Sequence, residues 1–81
     1  MNKNEIVKTL VVKYGVVDTL RFYLRGVHDS ANSMKMGVAE GNNMLAVKDL
    51  EALVDNLQYI EAIINDKDNR PAINGLEKNL K

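Results

Sequence analysis

Four basic residues lie close together in the second quarter of the chain: Arg21, Arg25, His28 and Lys35. With Asn32 they follow one another at spacings of four, three, four and three, which on a helix makes a single stripe. Guanidinium and ammonium groups in a row suit a phosphate-bearing ligand, and a nearby ring adds a platform on which a base can stack. Tyr14 and Tyr23 are the rings closest in sequence. The candidate ligand-binding set is therefore Arg21, Arg25, His28, Lys35, Tyr14 and Tyr23. The plainer reading of the same stripe is a solvated surface whose charges pair with acidic residues elsewhere in the chain.

Other chemistry is thinly supplied. Asp29 and Ser30 follow His28, but neighbours on a helix point about 100° apart, so the three do not form a triad. The chain has no cysteine and one histidine, which removes thiolate sites and leaves any zinc site dependent on several carboxylates. Gly37-x-x-x-Gly41 lacks the Gly-Lys that completes a phosphate-binding loop. Glu51 and Asp55 stand four apart and would share a helix face, where paired carboxylates are ordinarily solvated surface. The small polar run Ser30-Ala31-Asn32-Ser33, with Met34, Met36 and Met44, reads as the loose end of a small core or as a docking lip. These residues point to binding without catalysis, cofactor or metal.

The elements that position the stripe are helical. Between Asn43 and Asp66, apolar residues recur at spacings of three and four: Val47, Leu50, Leu53/Val54, Leu57, Ile60 and Ile63/Ile64. No glycine or proline interrupts them, so this is a long amphipathic helix that must bury its stripe. A second helix is expected from about 17 to 36, with the seam Val16/Val17, Leu20, Leu24, Val27, Ala31 and Met34. The cationic stripe lies one residue beyond that seam and so borders it. Gly26 weakens this helix or permits a close crossing. Residues 37–43, with two glycines and two asparagines, form the connecting loop, and Asn42 or Asn43 caps the next helix.

Near the start, Asn2 with Glu5 forms a capping box, and Ile6, Val7, Leu10, Val11 and Tyr14 share one face. Thr9-Leu10-Val11-Val12 is β-branched enough for a strand. Helix is preferred because the periodicity persists and no partner strand is visible. Gly15 ends that helix. Past Asp66, Lys67-Asp68-Asn69-Arg70-Pro71 breaks the pattern, and Pro71 opens a short segment whose Ile73, Leu76 and Leu80 share a face. The expected fold is all-α: an antiparallel hairpin (17–36 with 43–66) and a shorter N-terminal helix in a single domain, 1–66. Residues 67–81 form a tail or docking helix.

Eighty-one residues bury only about 60 % of the surface their unfolded chain exposes, so a partner or a second copy is the expected reinforcement. The formal net charge is zero, yet the charge is segregated. Residues 1–36 set Lys3, Lys8, Lys13, Arg21, Arg25 and Lys35 against Glu5, Asp18 and Asp29, a net of +3. Residues 37–66 set Lys48 against Glu40, Asp49, Glu51, Asp55, Glu61 and Asp66, a net of −5. Such halves suit antiparallel pairing, within the chain or between chains, better than DNA binding, which calls for an overall basic domain. The polar start Met1-Asn2-Lys3-Asn4-Glu5 carries no apolar signal core, and no apolar run approaches the ~20 residues of a membrane span. A cytoplasmic location without membrane contact is expected.

The hairpin resembles the phage anti-CBASS sponges over about residues 17–66. Its second long helix begins Leu45-Ala46-Val47 and carries Ala62-Ile63 near its end, similar to that family's small-plus-aliphatic pattern at those points. Leu50-Glu51-Ala52-Leu53 stands where the family has a polar centre, and the family's ligand-contacting tyrosine and lysine have no assigned counterpart. The resemblance implies a homo-oligomer that sequesters a cyclic nucleotide immune signal without cleaving it. The alternative is an interaction module, or phage-type inhibitor, that engages a host protein through its helices.

Overall fold

The computed structural model describes residues 1–80, apart from the side chains of Glu77, Asn79 and Leu80. Four helices follow in order: α1 (Lys3–Tyr14), α2 (Val16–Ala39), α3 (Asn43–Asn65) and, after a 3₁₀ turn at Lys67–Asn69, α4 (Arg70–Leu80). Residues 9–12 are helical, and the described residues contain no strand. The shared face expected of Ile73, Leu76 and Leu80 lies partly outside the described residues. No helix among them is long and apolar enough to cross a membrane.

Local chemistry explains the boundaries. The Asn2 side chain accepts the Glu5 N–H at 2.9 Å, and its amide donates to the Glu5 carboxylate at 3.3 Å. Two side chains thus hold the first turn of α1. Gly15, at φ +88°, ends α1 by donating its N–H to the Val11 carbonyl at 2.8 Å, and α2 starts at the next residue. Asn42 caps α3, its side-chain oxygen accepting the Leu45 N–H at 3.1 Å.

Helix α2 does not stop at Met36, and the loop expected over 37–43 shrinks to Glu40-Gly41-Asn42. Gly37 is a packing residue, not a breaker. It is buried against the first turn of α3, where an added Cβ would stand 3.4 Å from both the Ala46 nitrogen and the Asn42 carbonyl. The reversal needs its left-handed residue at Gly41 (φ +74°). At the other end of α3, Asn69 is buried and donates its amide to the Ile63 carbonyl at 2.9 Å, so the expected breaker acts as a cap. Pro71 is the second residue of α4, not the first.

Helices α2 and α3 form the antiparallel hairpin, but on α2 most of the seam that closes it is not the expected apolar one. The α2 positions turned inward are Val16, Thr19, Tyr23, Gly26, Ser30, Ser33 and Gly37, all buried or half-buried. They meet Ala46, Asp49, Leu53, Asn56, Ile60 and Ile63 of α3. This corrects the expected seam, which runs one residue later on α2. The physical reason is close approach: Gly26 faces the Asn56 side chain, Gly37 faces backbone, and serines fill the space between. Thr19 turns its hydroxyl back to the Gly15 carbonyl at 2.7 Å, and one Asp49 carboxylate oxygen is buried without a partner.

The fully apolar core is small and sits at one end. Val7, Tyr23 and Ile63 form it, with Leu10, Val16, Leu20, Tyr59, Ile60 and Ala62 packed around them. Helix α1 supplies Val7 and covers one side of the hairpin at this end.

Candidate functional site

A row of large apolar side chains remains open to solvent along the hairpin. On α3 these are Val47, Leu50, Val54, Leu57 and Ile64, and on α2 Leu24 and Val38, each between 41 and 63 % exposed. The α3 residues each follow an inward position by one (46, 49, 53, 56 and 63), and the α2 residues do the same (23 and 37). In antiparallel helices the same one-residue advance turns both rows to the same side of the pair. Half-buried Leu20, Val27, Ala31 and Met34 continue that side of α2.

Helix α1 lies on the opposite side. Its contacts reach α3 at Asp55 and Tyr59, one residue before inward positions, through Lys3. Leu10 and Tyr14 of α1 line an apolar cleft of about 380 Å³ with Asp18, Thr19 and Phe22 of α2. Along α3 the open row is about 25 Å long, at 1.5 Å per residue over Val47–Ile64, while α4 packs against part of α2. Contiguous apolar surface of several hundred Å² is at the upper end of what folded monomers expose.

Charge borders this face. Arg21, His28 and Lys35 each lie two residues beyond an inward position of α2, on the outer edge, and all are exposed. Arg25 is exposed too, but turns further toward the side that α1 occupies. Glu51 holds the matching outer edge on α3, where it lines a shallow hollow with Leu50, Val54, Asp55 and Gln58. Glu61 interrupts the apolar row of α3 between Leu57 and Ile64. Among the described residues the one ion pair is Lys3 with Asp55, at 3.0 Å. That hydrogen bond raises the Lys3 ammonium above its usual value of 10.5. The basic stripe thus forms no ion pair with the acidic helix of its own chain.

The two rings expected beside the stripe part company from it. Tyr23 is 5 % exposed and stacks on Tyr59, ring centres 4.6 Å apart and planes 7° from parallel. Burial, then the neighbouring Tyr59 and Asp55, raise its hydroxyl above the ordinary 10.0. Its ring belongs to the core and offers no face to a base. Tyr14 is half exposed at the end of α1, with the Lys13 ammonium 5.2 Å from its ring centre. It opens onto the cleft with Phe22, which none of the four cations lines.

The sequence carried a signal for the open face that its periodicity alone did not resolve. The α3 stripe is two residues wide at Leu53/Val54 and Ile63/Ile64, wider than one partner helix covers. The structure divides each pair, with Leu53 and Ile63 turned to α2 and Val54 and Ile64 to solvent. Compared with protein-family models, curated proteins and solved structures, the chain finds no match.

Proposed function

We propose that this chain is a non-catalytic interaction protein whose working surface is the apolar face of α2 and α3, and that protein covers it. The observation that carries this reading is the division of the hairpin. Its closed seam relies on small and polar residues away from the core end, while Val47, Leu50, Val54 and Leu57 are left 41–54 % exposed. Burying apolar area gains roughly 25 cal/mol per Å², so a surface of this kind favours a partner strongly. A photo-crosslinking residue placed at Leu57, compared with one at Lys8 beyond the hairpin's covered side, tests it. Protein adducts are expected from position 57 and not from position 8. Absence of any adduct at 57 would overturn the reading.

A second reading rests on the exposed Arg21, Arg25, His28 and Lys35, which form no ion pair among the described residues and whose stripe suits an anionic ligand. The hairpin's resemblance to anti-CBASS sponges implies a sponge function of this kind, and the spacing of the stripe, not the resemblance, nominates these residues to meet the phosphates. Native mass spectrometry with a mixture of cyclic nucleotides decides it. A discrete mass gain, lost in Arg21→Ala and Arg25→Ala, would establish ligand capture. No gain would retire it for the nucleotides tried.

A further inference from the structure

Resting on the protein-contact reading of the apolar face, we infer that its occupant is a second copy of this chain. Two hairpins stack face to face as an antiparallel four-helix bundle, with α2 of each over α3 of the other. The open face is about 25 Å long and, with part of α2 taken by α4, at most about 20 Å wide, so it measures up to roughly 500 Å² in plan. That is comparable with the ~800 Å² per partner of a stable interface. Two-layer packing of helix pairs is the arrangement in which both apolar rows of a hairpin are buried at once.

The charges then choose between the two symmetric ways of stacking. With the two-fold axis across the helices, α2 lies over its own copy and α3 over its own. The edge carrying Arg21, His28 and Lys35 meets itself, and so does the edge carrying Glu51. With the axis along the helices, each basic edge meets an acidic one; neighbouring helices are antiparallel in both arrangements, so charge makes the difference.

The second arrangement also fixes heights, because rotation about an axis along the helices leaves them unchanged. Within the hairpin Tyr23 faces Tyr59 and Gly26 faces Asn56, so level residues have numbers adding to 82. Arg21 of one copy is then level with Glu61 of the other, the acidic residue that interrupts the apolar row. Glu51 is level with residue 31, midway between His28 and Lys35. The basic residues that form no ion pair among the described residues thereby face acidic ones in the second copy.

The test is sedimentation equilibrium of the intact chain with Glu51→Lys, Lys35→Glu and the double variant. Each single change is expected to weaken the dimer about 10-fold, and the double variant to recover most of that loss. Leu57→Glu, with helix content verified by circular dichroism, is expected to weaken it at least about 100-fold. A dimer whose two charge variants add without coupling would overturn the α2-over-α3 arrangement. A wild-type monomer up to about 1 mM would overturn the second copy as occupant, while adducts to another protein from position 57 would leave the protein-contact reading standing.

Discussion

Asn69 shows how much one side chain does in a molecule with so small a core. The last carbonyls of a helix lack partners within it, and the buried Asn69 amide meets that of Ile63 at 2.9 Å. It thereby ties the entry of α4 to the end of α3. Asn69→Ala leaves that carbonyl unmet and is expected to cost about 1–2 kcal/mol in urea denaturation. Tyr23 gives a second residue-scale prediction. Burial raises its folded-state pKa, so its contribution is complete below the unfolded value of 10.0 and disappears as pH climbs through the folded one. Stability should fall from about pH 10 upward, and Tyr23→Phe should remove that part of the fall. The difference in 295 nm absorbance titrations between wild type and Tyr23→Phe should show a midpoint above 10.0. Neither role was legible from sequence. Asn69 lies among breakers and acts on a residue six positions back, and Tyr23 lies outside the apolar periodicity that marks a core.

At the scale of elements, the sequence yields helices more readily than the way they face. Asn2, Gly15 and Asn42 mark boundaries because caps and left-handed turns are local chemistry, satisfied within four residues. Gly37 misleads for the opposite reason: its role is to let α3 approach, which depends on a residue nine positions away. The seam is misplaced in the same way. Periodicity shows which stripe is apolar, but close approach at Gly26, Ser30, Ser33 and Gly37 decides which stripe faces the neighbour. Gly26 tests this directly. Alanine in a helix is normally favoured over glycine by roughly 1 kcal/mol. Here the added Cβ would stand 2.6 Å from the Asn56 oxygen, while the Asn56 amide is tied to the Ala52 carbonyl at 2.9 Å. Gly26→Ala is expected to destabilise by about 1 kcal/mol in the wild type. In an Asn56→Ala background it should stabilise by about the same amount. Thermal denaturation at fixed protein concentration reads the change of sign.

For the whole molecule, the candidate site lies in what the fold leaves undone. Val7, Tyr23 and Ile63 close one end, and α1 covers one side of the hairpin there, yet the longest apolar row remains in water. The segregated charge, basic before residue 37 and acidic from 37 to 66, was plain in the sequence. Its consequence was not, because pairing within the chain and pairing between chains draw on the same charges. Within the chain the two halves pair at Lys3 and Asp55, while Arg21, His28 and Lys35 form no ion pair among the described residues. The central claim is that protein covers the face running from Val47 to Ile64, and that this protein is a second copy. Sedimentation velocity of the intact chain across a concentration series tests it most directly. The expected result is a species of twice 9.1 kDa that Leu57→Glu converts to a folded monomer. A wild-type chain that stays at 9.1 kDa throughout the series would contradict it.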